Sequence, residues 1–412
     1  MTWEFCTEPD FEEKLEWTRA FVRDEVMPLE VLDLDDARLR ELIKPLQEEV
    51  RKQGLWAAFL PPHLGGSDWG QVKMALLSEV LGEALWAPTV FGARAPDSGN
   101  AELLAIGATP EQRDRYLQPL LDGEIRSCFA MTEPDAGSDP TRIRTTARAD
   151  GHGWLINGHK WFASNASVAA FLLVMCVTDP DAVPRDGQSI FLVPRGTPGL
   201  NVVRNIPALD DHNPYFRAPQ PDQHAEVLLE DVRVTRENLV GGLGQGWELA
   251  QARLGPGRIH HCMRWLGQAN RAFRMLCERA VSRETAGSRL ADKQLIQHYV
   301  AQSAAQMQAA RLMTLHAAWV IDTRGIEAAR TDVSMIKFFG SRVLHDVIDR
   351  ALQVHGSLGY SADMPLEWMY RLARAARIYD GPDEVHKMVV ARRILAEYAG
   401  ARTPDGAAHA RP

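Results

Sequence analysis

At 412 residues, with 45% hydrophobic and 24% charged side chains, the chain is long enough for two or three packed layers around one large core or two coupled ones. Its 54 acidic against 46 basic residues leave a net charge of -8, and no basic tract exceeds a local arginine cluster, which argues against a nucleic-acid binder and for a small-molecule protein. Five cysteines (Cys6, Cys128, Cys176, Cys262, Cys277), an odd number without CxxC spacing, fit buried thiols in a reducing compartment and speak against a structural zinc site. The acidic start of the chain lacks the pattern of a signal peptide, and the longest apolar run, 168–177, is far short of the roughly 20 residues a bilayer span needs. A cytoplasmic location with no membrane span is expected.

From about residue 8 to 127 the period is helical, as at Phe11, Leu15, Thr18 and Phe21-Val22, with breaks at Pro28, Pro45, Pro61-Pro62 and Pro88. Residues 54–66 read as a helix end running into a turn-rich loop. Thr109 before Pro110, and Gly123 at the far end, bound a capped helix over 108–123. This part, 1–127, is expected to be an N-terminal α-helical domain.

Near residue 127 the texture changes to β-rich alternation punctuated by Gly, Asn, Asp and Pro, and a central β-domain, barrel or sandwich, is expected over 128–242. Its strands are placed at 154–156, 170–177, 189–193 and 225–229, and Asn157-Gly158 is a hairpin signal. Residues 205–223 are rich in Pro, Asp and His and read as an exposed loop. The helical period then returns, with helices expected over 247–283, 289–324, 326–354 and 383–399, a four-helix bundle within a domain 243–400. The tail 401–412 is small, polar and expected to be disordered.

One turn stands out chemically. Asp380, followed by Gly381-Pro382, lies between two helical patterns, where a carboxylate reaches a cleft without disturbing core packing. It is the candidate catalytic base, with an N-cap role as the plainer alternative; Asp383 is also placed to cap the next helix. Arg258, after Gly255-Pro256-Gly257, is expected at a helix start, where amide donors and a cation favour a phosphate or carboxylate-like group. His260-His261 looks like a metal pair, but adjacent helical residues point about 100° apart, and no metal is expected.

Several strings together give the chain a specific likeness. Residues 128–139 (CFAMTEPDAGSD), 156–165 (INGHKWFASN), 226–242, 353–360 and 378–392 (IYDGPDEVHKMVVAR) resemble, in order, the acyl-CoA dehydrogenase family over about residues 50–395. Ala95-Pro-Asp-Ser-Gly-Asn100, the 253–264 string and Asp380-Gly-Pro-Asp-Glu-Val-His386 resemble the branch of members ten and eleven. The resemblance implies an α+β fold of the three parts above, FAD as cofactor, an acyl-CoA substrate, an electron-transfer flavoprotein as electron acceptor, and a homodimer or homotetramer.

It also implies roles residue by residue. Phe129, Met131 and Thr132, expected on a strand entering a Gly-Ser turn, line the isoalloxazine; Phe162 and Ser164 stand where the family usually carries Trp and Thr, with Trp161 one place early. Arg283 matches an arginine that binds the FAD pyrophosphate across a subunit interface, a role suited to a rigid fork. The Phe expected three residues later is Ala286. Gln294, Gln353 and Gly356 match positions on the adenosine half, Ser357 replacing a second glycine. Pro382 and Glu384 fall beside the cofactor, Ser138 beside cofactor and CoA, Arg258 beside the thioester, and Gly381 among the substrate-binding positions.

The chemistry implied is α,β-dehydrogenation, with Asp380 taking the α-proton and the β-hydride passing to flavin N5. Asp380 stands where most of the family has Glu, so its arm is about 1.5 Å shorter. A flavin oxidase or monooxygenase on the same scaffold, or a flavin- or CoA-binding protein without dehydrogenation, are the alternatives.

Overall fold

A computed structural model describes residues 7–32, 34, 36–209 and 224–399. Cys6, most of the expected 205–223 loop and the 401–412 tail lie outside the described residues. Packing divides the chain into two compact units.

The sheet unit comprises the described residues of Leu32–Asp68 and Pro88–Gly257. Its strands are β1 (Ser127–Ala130), β2 (Thr146–Asp150), β3 (Gly153–Ser164), β4 (Phe171–Val177), β5 (Gln188–Pro194), β6 (Leu200–Asn205), β7 (His224–Thr235) and β8 (Leu239–Val240). They form one mixed eight-stranded sheet in the order β6-β7-β3-β2-β4-β5-β8, with β1 parallel to β4. Residues alternate between faces with period two, so continuous apolar strands such as β4 and β5 must be covered on both sides. Phe171, Leu173, Met175, Ile190 and Leu192 pack with Leu103, Leu104, Tyr116 and Leu117 of the helices. Leu172, Val174, Cys176, Phe191 and Val193 meet Ile156, Val227 and Val232 on the other face. Each such side chain contributes about 1.5–3 kcal/mol on burial.

Asn157-Gly158 is not the hairpin. The β2–β3 turn is Gly151-His152, with Asp150 opposite Gly153, and Asn157-Gly158 lies inside β3 at a shift in register against β7. A Cβ on Gly158 would lie 2.2 Å from the Thr145 hydroxyl, so the glycine serves a close approach rather than a turn. Asn157 meanwhile exchanges hydrogen bonds with Asp231 on β7, whose φ is 51°.

The expected capped helix begins as read: Thr109 and Gln112 form a capping box and Gly123, at φ 77°, closes the end. Between them the chain passes through a π-helical turn, Arg113–Leu117. Gln112 also donates to the carbonyls of Glu237 (2.7 Å) and Leu239 (2.9 Å), tying this segment to the end of the sheet. Pro45, read as a break, lies inside the Asp36–Lys52 helix.

The helical unit comprises the described residues of Met1–Val31, Trp69–Ala87 and Arg258–Pro412. Its long helices end at Ser282 (from Gly246), Arg324 (from Gln294), His355 (from Arg330) and Tyr398 (from Asp383). The second and third start later than the sequence period suggests. Residues 284–289 instead form a small hairpin, β9 (Glu284–Thr285) with β10 (Ser288–Arg289), turned by Ala286 (φ 50°) and Gly287 (φ 78°). Leu366–Ala375 adds a shorter amphipathic helix.

Two glycines bring the Gln71–Leu81 helix and the helix ending at Ser282 into backbone contact. A Cβ on Gly267 would lie 2.1 Å from the Glu79 carbonyl oxygen, and one on Gly82 would lie 2.1 Å from that of Arg264. Asp322 caps the Gln71–Leu81 helix from outside, accepting from the N–H of Gln71 (2.6 Å) and Val72 (3.0 Å). These contacts fix the stretch of helix that carries residues 258–265. Among the described residues, no helix is long and apolar enough to cross a membrane.

Candidate active site

In the helical unit, Asp380 lies on the turn between the Leu366–Ala375 and Asp383–Tyr398 helices, with φ 54°, followed by Gly381 at φ 98°. A positive φ at a non-glycine residue costs about 1–3 kcal/mol and persists only where surroundings impose it. Here they do. The Asp380 carbonyl accepts from Arg258 Nε (3.2 Å) and His386 Nε2 (3.1 Å). Lys337 Nζ donates to the carbonyls of Ala376 (2.8 Å) and Gly381 (3.2 Å), bracketing the turn from both sides.

The N-cap of the last helix is Pro382, not Asp380 or Asp383. Asp383 is instead buried, bonded to Arg377 Nε (2.8 Å) and Ser341 Oγ (3.1 Å). Asp380 is therefore spared from structural capping. Its carboxylate, partly exposed, sits 3.3 Å from His261 Nε2.

Arg258 is not at a helix start: the Gly246–Ser282 helix runs unbroken through Gly255-Pro256-Gly257, so no free amide end accompanies its guanidinium. Its side chain, desolvated beside Asp380, has a pKa pushed below the usual arginine value.

The sequence reading passed over several groups here. Lys337 is fully buried, lies over the rings of Trp265 (5.1 Å) and Tyr379 (5.4 Å), and is pushed below the ordinary lysine pKa by burial. Trp265 Nε1 donates to the Tyr379 hydroxyl (2.7 Å). Burial lowers His386 to about 4, so it is neutral, and Cys262 is pushed up to about 12 by the same cause. His386 and Tyr379 stand inside the 378–392 string, and His261 inside the His-His pair. The 100° between the two histidines puts His260 into the core, lowered by burial to about 3, and leaves His261 facing Asp380.

In the sheet unit, Phe129 lies on β1, while Met131 and Thr132 are just past its end rather than on the strand. The Phe129 ring is capped by Arg253, 4.4 Å from its centroid. The Met131 carbonyl accepts from Lys160 Nζ (3.0 Å) and that of Thr132 from the Trp161 N–H (2.8 Å), so β3 sets the course of this segment. Lys160 and Glu133 form a buried pair at 2.9 Å. Burial alone would raise the Glu133 pKa, but Lys160, the Thr145 hydroxyl and the Arg144 N–H hold it below the usual carboxylate value. Ser138 lies exposed on the bend that follows.

Phe162 has φ 52° at a second register shift, between Lys160 and Ala163. The bulge turns its ring outward, 44% exposed beside Trp161 (5.8 Å between centroids) and His224 (5.3 Å). Ser164 Oγ lies 2.7 Å from His224 Nδ1, and both polar atoms of the next side chain, Asn165, are buried without a partner. An exposed aromatic face, hydroxyls and a strand end suit a planar, polar-edged ring such as a flavin.

Arg283, Gln294, Gln353 and Gly356 are all exposed residues of the helical unit: Arg283 just before β9, Gln294 opening its helix, Gln353 and Gly356 at the end of the Arg330–His355 helix. Gly356 holds φ 64°, ψ -137°, a conformation open only to glycine. Pro382 is half-buried and Glu384 exposed in the first turn of the last helix. Among the described residues no group of three or more His, Cys, Asp or Glu side chains could hold a metal ion.

Comparison with known proteins matches three family models along the chain: the acyl-CoA dehydrogenase N-terminal domain over residues 8–124, the middle domain over 128–212 and the C-terminal domain over 244–395. The Mycobacterium tuberculosis protein named "Probable acyl-CoA dehydrogenase FadE2" is 44% identical over 359 residues, 86% of each chain. Mus musculus acyl-CoA dehydrogenase family member 11 is 40% identical over 87% of this chain, which spans only 45% of that longer protein. A solved Mycobacterium abscessus structure assigned to acyl-CoA dehydrogenase superposes with TM-score 0.89 at 39% identity, over 96% of this chain and 100% of that one.

Proposed function

This chain belongs to the acyl-CoA dehydrogenase family, and we propose that it removes the α-proton and β-hydride of an acyl-CoA thioester with Asp380 as the catalytic base. It is an oxidoreductase acting on acyl-CoA, with FAD as cofactor. The observation that carries the assignment of the base is the turn itself: a strained residue whose carbonyl is fixed by Arg258 and His386 and whose carboxylate takes no part in capping.

An α-C–H is a weak acid against a carboxylate of ordinary pKa about 3.9, so the thioester oxygen must be stabilised as charge develops there. The Asp380 N–H is the protein's donor for that charge, and the hydrogen bonds to the Asp380 carbonyl and to the carbonyls of Ala376 and Gly381 keep the turn from reorienting. Bound substrate excludes water from the carboxylate and raises its proton affinity. When bound, FAD supplies the two-electron acceptor for the β-hydride. Phe129, Met131, Thr132, Phe162 and Ser164 would hold its ring, and Ser138, Pro382 and Glu384 further parts of it. Arg258 and Gly381 serve the thioester end of the substrate, with Ser138 on the CoA portion.

Arg283, Gln294, Gln353 and Gly356, all exposed, are assigned to the FAD of a second copy of the chain, making a homodimer the minimal active unit, with a tetramer built from two. Electrons pass on to an electron-transfer flavoprotein.

Asp380→Asn tests the assignment. The variant is expected to stay yellow while turnover with an artificial electron acceptor falls about 10²–10⁴-fold, the range for a lost general base. Full turnover in a flavin-loaded Asp380→Asn protein would remove Asp380 from the mechanism.

A further inference from the structure

We propose that Arg264 and His261 form a hydrogen-bond relay to Asp380, in which Arg264 keeps His261 neutral and His261 holds the carboxylate through Oδ2. The inference rests on Asp380 being the base.

Its logic is one of donors and acceptors. Arg264 Nη2 lies 3.1 Å from His261 Nδ1, and a guanidinium has no acceptor, so Nδ1 contributes its lone pair. A neutral ring accepting at Nδ1 carries its hydrogen on Nε2. That nitrogen is the one 3.3 Å from Asp380 Oδ2, so the ring donates to the carboxylate. Protonating His261 would put a hydrogen on Nδ1 facing the Arg264 donor, two like charges and no bond. Arg264 therefore opposes the imidazolium.

The arrangement is held by the helix and by packing. His261 and Arg264 are three residues apart on the Gly246–Ser282 helix and so share a face. The His261 ring packs against Tyr379 (5.4 Å between centroids) and Trp265 (6.4 Å), which fix its plane.

A neutral donor suits a short-armed base. It restricts an aspartate that has less reach than glutamate, yet unlike a cation it does not strongly lower the carboxylate's proton affinity. Among the described residues, other charged or titratable groups that act on Asp380 include Arg258 and Cys262 from the same helix, Lys337 from the Arg330–His355 helix, His386 from the last helix and Tyr379 from the turn. With Cys262 at about 12 and His386 at about 4, neither changes charge near neutral pH. His261 is the imidazole whose charge Arg264 controls.

The test compares kcat, KM and pH profiles for H261L, H261Q, R264L and R264K, with D380N as reference. H261L is expected to lose about ten- to a hundredfold in kcat, the worth of one hydrogen bond to a charged group, with KM little changed. Its acid limb in kcat/KM moves to higher pH, because the ionised carboxylate has lost a donor. H261Q, whose amide N–H substitutes for Nε2–H, restores most of the rate. R264L removes the cation facing Nδ1, so the profile gains an acid-side loss, absent from wild type, in the range where a protonated His261 faces the base. R264K, still a donor, lacks that loss.

Wild-type kcat and acid limb in H261L, with D380N inactive, overturn the relay and leave the base assignment intact; full turnover in D380N overturns both. If H261L fails to retain flavin, identical R264L and R264K profiles overturn the relay.

Discussion

At the scale of single residues, the turn at 380 concentrates its constraints in one position. Gly381 holds φ 98°, and a Cβ there would lie 2.7 Å from His386 Nε2, the nitrogen that donates to the Asp380 carbonyl. Gly381→Ala is expected to displace His386 and release that carbonyl. Measured against wild type with FAD bound, kcat should fall at least about tenfold, and unfolding in urea should show a loss of about 1–3 kcal/mol from strain. Wild-type values for both would mean that the turn tolerates movement. Asp380 stands out in the sequence as a candidate because a carboxylate before Gly-Pro, between helical patterns, is a local signal. Its partners do not: Arg258, His261 and Lys337 come from helices 43–122 residues away in the chain, and spacing within any one helix does not say which face meets the turn. The His-His pair, judged only against metal geometry, concealed a histidine that faces the carboxylate of the candidate base.

At the scale of an element, β3 carries both the sheet's pairing and the segment assigned to the flavin. The Asn-Gly signal misled because turn propensity is local, whereas the need for glycine at 158 comes from Thr145 across the strand pair. Two residues on, Lys160 is fully buried, its charge matched by Glu133 and a second N–H donated to the Met131 carbonyl. The sequence hid this, since a lysine in a strand reads as a solvent-facing residue. Lys160→Met would leave Glu133 charged and buried with only the Thr145 hydroxyl and the N–H groups of Arg144 and Thr145. Breaking a buried pair in this way costs about 3–5 kcal/mol, which equilibrium unfolding would detect. The freed Met131 carbonyl should also weaken FAD retention on gel filtration. A loss below about 1 kcal/mol would place the pair among contacts of little net worth.

At the scale of the whole molecule, helices, strands and helices again were legible from periodicity alone, because period 3.6 and period 2 are properties of each segment. The packing of helices before the sheet was not. Pro9–Phe21 and Gln71–Leu81 group with the later helices, and Asp36–Lys52 and Asp97–Gly107 with the sheet, through contacts such as Gly267 on Glu79 that no short window contains. One consequence is global. His260 is buried on the same helix as Gly267, its Nε2 has no partner, and burial holds its pKa at about 3. Unfolded, it titrates near 6.5. Above 6.5 both states are neutral and His260 has no effect on pH dependence. Below 6.5 the unfolded chain takes a proton that the folded chain refuses, so stability falls by about 1.4 kcal/mol per pH unit from this group until the folded pKa is reached. Replacing it with an apolar side chain removes that proton from the balance. His260→Leu should therefore lose about 2 kcal/mol less than wild type between pH 7.5 and pH 5, read from urea unfolding at the two pH values. Equal losses in the two proteins would mean that His260 accepts a proton while folded, and that water reaches its buried ring.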